Sequence, residues 1–182
     1  MLLRFITAIL LFSWTIAHAE QPQFYGAYQA GGGRIQVSES FDGDDDSSAS
    51  TDLGVFAGVR FGNHWVLEVS ETFSDGHSLF GWSDSYDLRQ YLLVAGYAIP
   101  VKRSFRITPK VGVTDWKLKG REGLFGNPGD EDASRAEGHD AAFFMEFEWD
   151  INHFLSLGMN NGWSDTDFGN YTTGRFFVKF RW

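Results

Sequence analysis

Alternation with a period of two dominates the chain. The closing segment Phe176-Phe177-Val178-Lys179-Phe180-Arg181-Trp182 puts Phe176, Val178, Phe180 and Trp182 on one side and Arg175, Lys179 and Arg181 on the other. Successive strand side chains point to opposite faces, so this strand has one apolar face and one charged face. The same pattern recurs upstream. In a first strand from about Phe24 to Val37, Phe24, Gly26, Tyr28 and Ala30 oppose Tyr25, Ala27 and Gln29, and the Gly31-Gly32-Gly33 run predicts a kink. The second sets Leu53, Val55, Ala57, Val59 and Phe61 outward, against Gly54, Phe56, Gly58, Arg60 and Gly62. In the third, Trp65, Leu67, Val69 and Phe73 oppose Glu68, Ser70 and Thr72. The fourth, Leu88 to Ile99, offers Tyr91, Leu93, Ala95, Tyr97 and Ile99 as its lipid face; its other face, Gln90, Leu92, Val94 and Gly96, is ambiguous.

After a short turn at Pro100 to Ser104, a fifth strand opposes Phe105, Ile107, Pro109, Val111 and Val113 to Arg106, Thr108, Lys110, Gly112 and Thr114. A sixth sets Phe143, Met145, Phe147 and Trp149 against Phe144, Glu146 and Glu148. A seventh sets Leu155, Leu157 and Met159 against Ser156, Gly158 and Asn160. The connections alternate in length. Gly62-Asn63-His64, Pro100 to Ser104 and Asp150-Ile151-Asn152 are tight, whereas Ser40 to Asp52, Ser74 to Asp87, Gly120 to Gly138 and Asp165 to Tyr171 read as long polar loops. Eight strands of about ten residues match the length that crosses a bilayer at a tilt. The predicted fold is all-β, an eight-stranded antiparallel up-and-down transmembrane β-barrel with both termini on the short-turn, periplasmic side. Trp65, Phe105, Trp149 and Trp182 fall beside the short turns, where an interfacial aromatic girdle belongs.

The amino terminus supplies the route. Arg4 followed by the apolar stretch Phe5 to Ile16 and then Ala17-His18-Ala19 reads as a secretory signal peptide, residues 1–19, leaving residues 20–182 as one barrel domain. The expected location is the bacterial outer membrane. The chain has no Cys, 21 Gly and 17% aromatics, so its stability rests on packing, a closed ladder and the membrane. After the signal the longest apolar run, Tyr91 to Ile99, is too short for a helical span. A formal charge of −9 without a basic cluster argues against nucleic acid as a partner.

Several short motifs carry a family likeness. Phe24-Tyr25-Gly26-Ala27, Gly62-Asn63-His64-Trp65-Val66-Leu67-Glu68-Val69, Gly96-Tyr97 before a Pro turn, Lys110-Val111-Gly112-Val113 with Trp116, and the aromatic closing strand resemble the OmpA-like family of outer-membrane barrels. The resemblance implies a monomer inserted by the outer-membrane assembly machinery, which reads the last strand: Phe176, Val178, Phe180 and Trp182 are the candidate assembly signal. Its other implied partners are periplasmic chaperones, outer-membrane lipid and lipopolysaccharide. Because the sequence stops at Trp182, the family's peptidoglycan-binding domain is not expected, nor is cell-wall tethering.

The inward charges form the main candidate site. Arg60, Glu68, Arg106, Lys110, Glu146, Glu148, Lys179 and Arg181 can meet inside a barrel just wide enough for side chains. Pairing offsets the cost of burying them, so an interlocked polar plug is expected, with a narrow or gated ion path as the functional alternative. Acyl hydrolysis needs a nucleophile and a base in reach. His77-Ser78 are adjacent and face opposite ways, His139-Asp140 has no Ser beside it, His64 and His153 fall at periplasmic turns, and no His-x-Ser occurs. No catalytic residue, cofactor or metal site is therefore predicted. The run Asp42-Gly43-Asp44-Asp45-Asp46 lacks calcium-loop spacing and, with Glu122, Asp130, Glu131, Asp132 and Glu137, reads as solvated loop charge. The expected function is a structural role in the envelope. A surface adhesin or host-interaction barrel acting through its long loops is the alternative, and a lipid-modifying enzyme is less favoured.

Overall fold

A computed structural model describes residues 21–38, 46–62, 64–77, 85–121 and 135–182. The strands are β1 (Gln23–Val37), β2 (Asp46–Phe61), β3 (Trp65–His77), β4 (Ser85–Tyr97), β5 (Ile99–Lys102), β6 (Phe105–Arg121), β7 (Arg135–Asp150), β8 (Leu155–Thr166) and β9 (Gly169–Arg181). Both β4 and the short β5 pair with β6, so they are two parts of one barrel strand broken at Ala98. Among the described residues this gives eight antiparallel barrel strands, and β1 closes the sheet by pairing with both β2 and β9. At the foot of that seam the Trp182 amide donates to the Phe24 carbonyl at 3.1 Å.

The geometry follows from the register. Starting at Phe24 and stepping through its partners Val59, Leu67, Ala95, Val111, Phe143, Trp163 and Thr172, the path returns to β1 at Arg34, an offset of ten residues. With eight strands, that stagger requires a tilt of roughly 40°. Each residue then climbs about 2.5 Å along the barrel axis.

The outer surface is apolar and the inside is polar, the reverse of a soluble sheet. Phe176, Tyr28 and Trp182 are 70, 69 and 73% exposed, while Glu68, Lys110, Glu146 and Arg175 are 3, 4, 2 and 1% exposed. Such a wall is stable only where hydrocarbon meets it and every backbone group is paired. Trp65 and Tyr97 meet edge to face at 5.1 Å and Phe105 packs on Trp149 at 4.7 Å, so the lower girdle is made of paired rings.

The strands differ from the sequence expectation in four places. They run 12 to 17 residues outside the short β5, so segments expected as loops at Ser74 to His77, Ser85 to Asp87 and Arg135 to Gly138 are paired. Pro100 lies in β5 opposite Arg106, and the turn is confined to Arg103-Ser104; β5 borders β6 alone, so the missing Pro N–H costs no ladder bond. The expected loop from Asp165 to Tyr171 is a tight turn at Asp167-Phe168, helped by Gly169 at φ 140°. Gly31-Gly32-Gly33 makes no bulge: β1 keeps its register on both sides. There the glycine at Gly31 serves close approach, since a Cβ would lie 2.1 Å from the Gly174 carbonyl oxygen. The ambiguous face of the fourth strand is inward, with Gln90, Leu92 and Val94 all buried.

Candidate functional site

Inward positions stack into four layers along the axis. Nearest the short turns is a chain of ion pairs. Lys110 Nζ lies 2.8 Å from Glu68 Oε2 and 2.6 Å from Glu146 Oε2. Glu146 Oε1 takes Lys179 Nζ at 2.7 Å, and Lys179 reaches Glu148 Oε2 at 3.0 Å. Glu148 then meets Arg106 at 2.9 Å, Arg106 pairs with Asp150, and Asp150 Oδ1 lies 2.9 Å from Arg181 Nη1. These groups come from β3, β6, β7 and β9, so the chain ties opposite walls together. Tyr25 OH donates to Glu68 Oε2 at 3.1 Å, and the Lys179 ammonium lies 4.7 Å from the Tyr25 ring centre.

Seven of the eight expected interior charges thus join one network. Arg60 faces the same way and hydrogen-bonds Gln23 instead of a carboxylate. Two members were not among the expected residues. Asp150 read as a turn residue, although it continues the inward series Glu146, Glu148. Tyr25 sat on the inward face without an evident partner. The space between these groups is small: a cavity of about 10 Å³ is lined by Tyr25, Arg60, Glu146, Glu148, Lys179 and Arg181. That is at the lower limit for one water molecule.

Above this layer Phe56 and Phe177 meet edge to face at 5.5 Å, with Leu92, Val94 and Ala142 buried nearby. A second polar layer follows. Asp52 is fully buried and accepts from Ser50 Oγ at 2.8 Å, from Tyr171 OH at 2.6 Å and from Thr173 Oγ1. Arg175 Nη1 donates to Thr72 Oγ1 at 2.6 Å and Nε to Thr173 Oγ1 at 2.9 Å, with Asp52 4.0 Å away. Asp52 had been expected in a loop. Continuing the inward series of β2 through Phe56 and Gly54 would have reached it.

The fourth layer is apolar and lies toward the long loops. Ile35, Val37, Tyr86, Leu88, Trp116, Leu118, Phe168 and Tyr171 form one buried cluster. Phe168 enters it from the β8–β9 turn, with its ring 4.7 Å from that of Trp116 and its carbonyl held by the Ser38 amide at 2.8 Å. Trp116 Nε1 donates to Asp140 Oδ2 at 2.5 Å and its ring covers Gly138, where a Cβ would come within 2.7 Å.

The histidines considered for catalysis are dispersed. His64 Nδ1 lies 3.0 Å from the Ala98 carbonyl oxygen and stacks on Tyr97. His153 packs on Phe154 in the β7–β8 turn. His139 faces outward toward Asp115 at 3.6 Å while its neighbour Asp140 faces inward. Ser78, Asp42 to Asp45 of the acidic run, Glu122 and Asp130 to Asp132 lie outside the described residues, as do residues 1–20 with the expected signal peptide, while Asp46 opens β2. Glu137 is on the outer wall of β7, 3.4 Å from Lys117. Of the expected assembly signal, Phe176, Val178 and Phe180 face outward from β9, and Trp182, just beyond its end, is exposed.

A family model described as outer membrane protein beta-barrel domain matches residues 5–180. No curated protein gives a significant sequence match. Among solved structures, Neisserial surface protein A is similar at 12% identity with a TM-score of 0.65, covering 90% of this chain and 100% of that one. Ail, the attachment invasion locus protein of Yersinia pestis, is similar at 14% identity and TM-score 0.61, covering 90 and 99%. The N-terminal β-barrel domain of Pseudomonas aeruginosa OprF is similar at 11% identity and TM-score 0.57, covering 91 and 100%. At these identities the likeness is one of fold.

Proposed function

The chain belongs to the outer membrane protein β-barrel domain family, and on that premise we propose that it is a monomeric, non-enzymatic structural barrel of the outer membrane with a lumen closed to ions at rest. The observation that carries this reading is the filling of the interior. An ion-paired layer enclosing a cavity of about 10 Å³ and an apolar cluster around Trp116 and Phe168 stand in series along the axis. An ion crossing the lumen would have to break buried pairs and then pass a dry constriction, and each barrier alone is costly.

Export through a cleavable signal at residues 1–19, escort by periplasmic chaperones and recognition of Phe176, Val178, Phe180 and Trp182 by the assembly machinery complete the proposal. Their support is the amino-terminal pattern and the outward apolar face of β9. The test is conductance. Purified barrel in a planar bilayer should be silent or pass rare, small currents. A steady large conductance in the unmodified protein would refute the closed-lumen reading and make the interior charges selectivity groups of a pore.

A further inference from the structure

Asp140 stands apart from the other acids inside the barrel. Glu68, Glu146, Glu148 and Asp150 belong to the ion-pair chain, and Asp52 has Arg175 Nε 4.0 Å away. Asp140 joins no ion pair among the described residues, and its side-chain partner there is neutral: the Trp116 indole N–H, which donates to Oδ2. Segments 39–45, 78–84 and 122–134, outside the described residues, contain no Lys or Arg that could answer it. Two hydroxyls beside it are unanswered too. Thr114 is directly across from Asp140 on β6, and Ser164 is across from Ala142 on β8, one inward position below. Both face inward at 1 and 2% exposure, and neither oxygen has a hydrogen-bond partner. Direct and diagonal cross-strand neighbours have Cβ atoms about 5 and 7 Å apart, close enough for one small ion to touch all three side chains.

A gap in the wall leads to this place. The β7–β8 register ends where Ala142 meets Ser164, although β7 continues to Arg135 and stays paired with β6 to that point. Along this stretch the inward Ala136, Gly138 and Asp140 are only half-buried, whereas Leu118 and Trp116, across from Ala136 and Gly138 on β6, are 2 and 1% exposed. Water therefore reaches Asp140 from the β8 side. The level is the upper edge of the apolar band, because Thr114 lies where the outward series of β6 passes from Val113 to Asp115. Beneath the three oxygens Ala142 and Leu92 are 0 and 4% exposed and form an apolar floor.

We propose that Asp140, Thr114 and Ser164 hold one alkali-metal cation, sodium or potassium, taken up from the surrounding water through this gap. One positive charge neutralises the unpaired carboxylate, and carboxylate and hydroxyl oxygens are the hard donors such ions take. Water in the gap completes the shell. A water molecule alone would serve the two hydroxyls and leave the carboxylate charge uncompensated. A divalent ion would leave a net positive charge in place of a negative one, and among the described residues no three acidic or histidine side chains come together to hold it. The site goes beyond the closed-lumen reading and is compatible with it: the ion enters and leaves through the wall, and the apolar floor bars passage along the axis.

The experiment uses the purified folded chain in detergent, with sodium or potassium chloride replacing choline chloride at constant ionic strength. Bound ion is read from the sodium-23 NMR line width and its displacement by potassium, and from the midpoint of thermal unfolding. Both readings should saturate with the alkali ion, because it binds the folded barrel and not the unfolded chain. Asp140→Asn keeps an acceptor for Trp116 and removes the charge, so it should abolish both responses. Thr114→Val combined with Ser164→Ala should weaken binding about tenfold or more. Glu137→Gln, which changes a carboxylate on the outer wall of the same strand, should leave both readings as they are. Identical behaviour in sodium, potassium and choline would overturn the proposal. An unchanged response in Asp140→Asn would also overturn it, assigning the ion to other acidic groups of the chain. Should Asp140→Asn fail to fold, the double hydroxyl variant decides, and undiminished binding there sinks the site. Saturation by calcium with none by sodium or potassium would overturn the monovalent assignment.

Discussion

Lys110→Met tests whether the ion-paired layer holds the barrel together. Methionine keeps much of the lysine stem's volume and removes only the charge, so packing is largely conserved. In the folded barrel Lys110 Nζ contacts Glu68 at 2.8 and 3.0 Å and Glu146 at 2.6 Å, and its side chain is 1% exposed. At an effective dielectric of about 20, one such contact is worth about 6 kcal/mol in gross Coulomb terms, most of it offset by desolvation. Removing the cation keeps the desolvation cost of both carboxylates and loses the compensation, so the expected loss is about 3–5 kcal/mol. Glu68→Gln should cost less, about 1–3 kcal/mol, because Lys110 keeps Glu146 and the amide can still accept from Tyr25. The double variant Lys110→Met/Glu68→Gln should recover part of the Lys110→Met loss, since one stranded charge is gone. The assay is urea unfolding in lipid vesicles, followed by tryptophan fluorescence and by the gel shift between folded and unfolded barrel. A Lys110→Met loss below about 1 kcal/mol, or a double variant no better than that single one, would refute the claim that the layer is held by charge pairing.

Two further outcomes follow from the strands themselves. Gly31→Val should prevent normal closure of the β1–β9 seam, because its Cβ would fall 2.1 Å from the Gly174 carbonyl oxygen and 2.6 Å from the Arg175 Cα. The loss should be about 3 kcal/mol or more, with the heat-modifiable folded band weakened, whereas Gly174→Ala should barely change it. Trp182→Asp should sharply lower the amount of inserted barrel while changing the stability of the fraction that does insert by about 1 kcal/mol or less, since the residue sits at the interface. Cell-fraction blots together with urea titration check both halves, and normal insertion would remove the assembly role of the terminal aromatic.

The sequence pattern was readable where the wall meets lipid and misleading above it, and the cause is a reversal of phase. On β6 the outward series runs Phe105, Ile107, Pro109, Val111, Val113 and then turns to Asp115, Lys117 and Lys119. The inward series runs Arg106, Thr108, Lys110, Gly112, Thr114 and then turns to Trp116 and Leu118, both buried. The same exchange falls on β4, between Tyr91 and Arg89 outside and between Gln90 and Leu88 inside, and on β1 at Arg34 and Ile35. Below that level the solvent is hydrocarbon, and apolar side chains gain by facing out; above it the solvent is water, and the ordinary preference for an apolar core returns. Apolar-out alternation loses the strands where the rule inverts, which is why Ser74 to His77, Ser85 to Asp87 and Arg135 to Gly138 read as loop residues. Long-range pairs were hidden for another reason. Asp52 and Tyr171 meet only because the sheet closes, and nothing local to either residue marks the partner. The eight basic and acidic positions could be expected inside because period two fixes the face once a single residue of a strand is placed. The inversion is also informative in itself. A continuous strand that exchanges its apolar face partway along must pass from one solvent to another, so the exchange between Val113 and Asp115 marks the membrane boundary on β6.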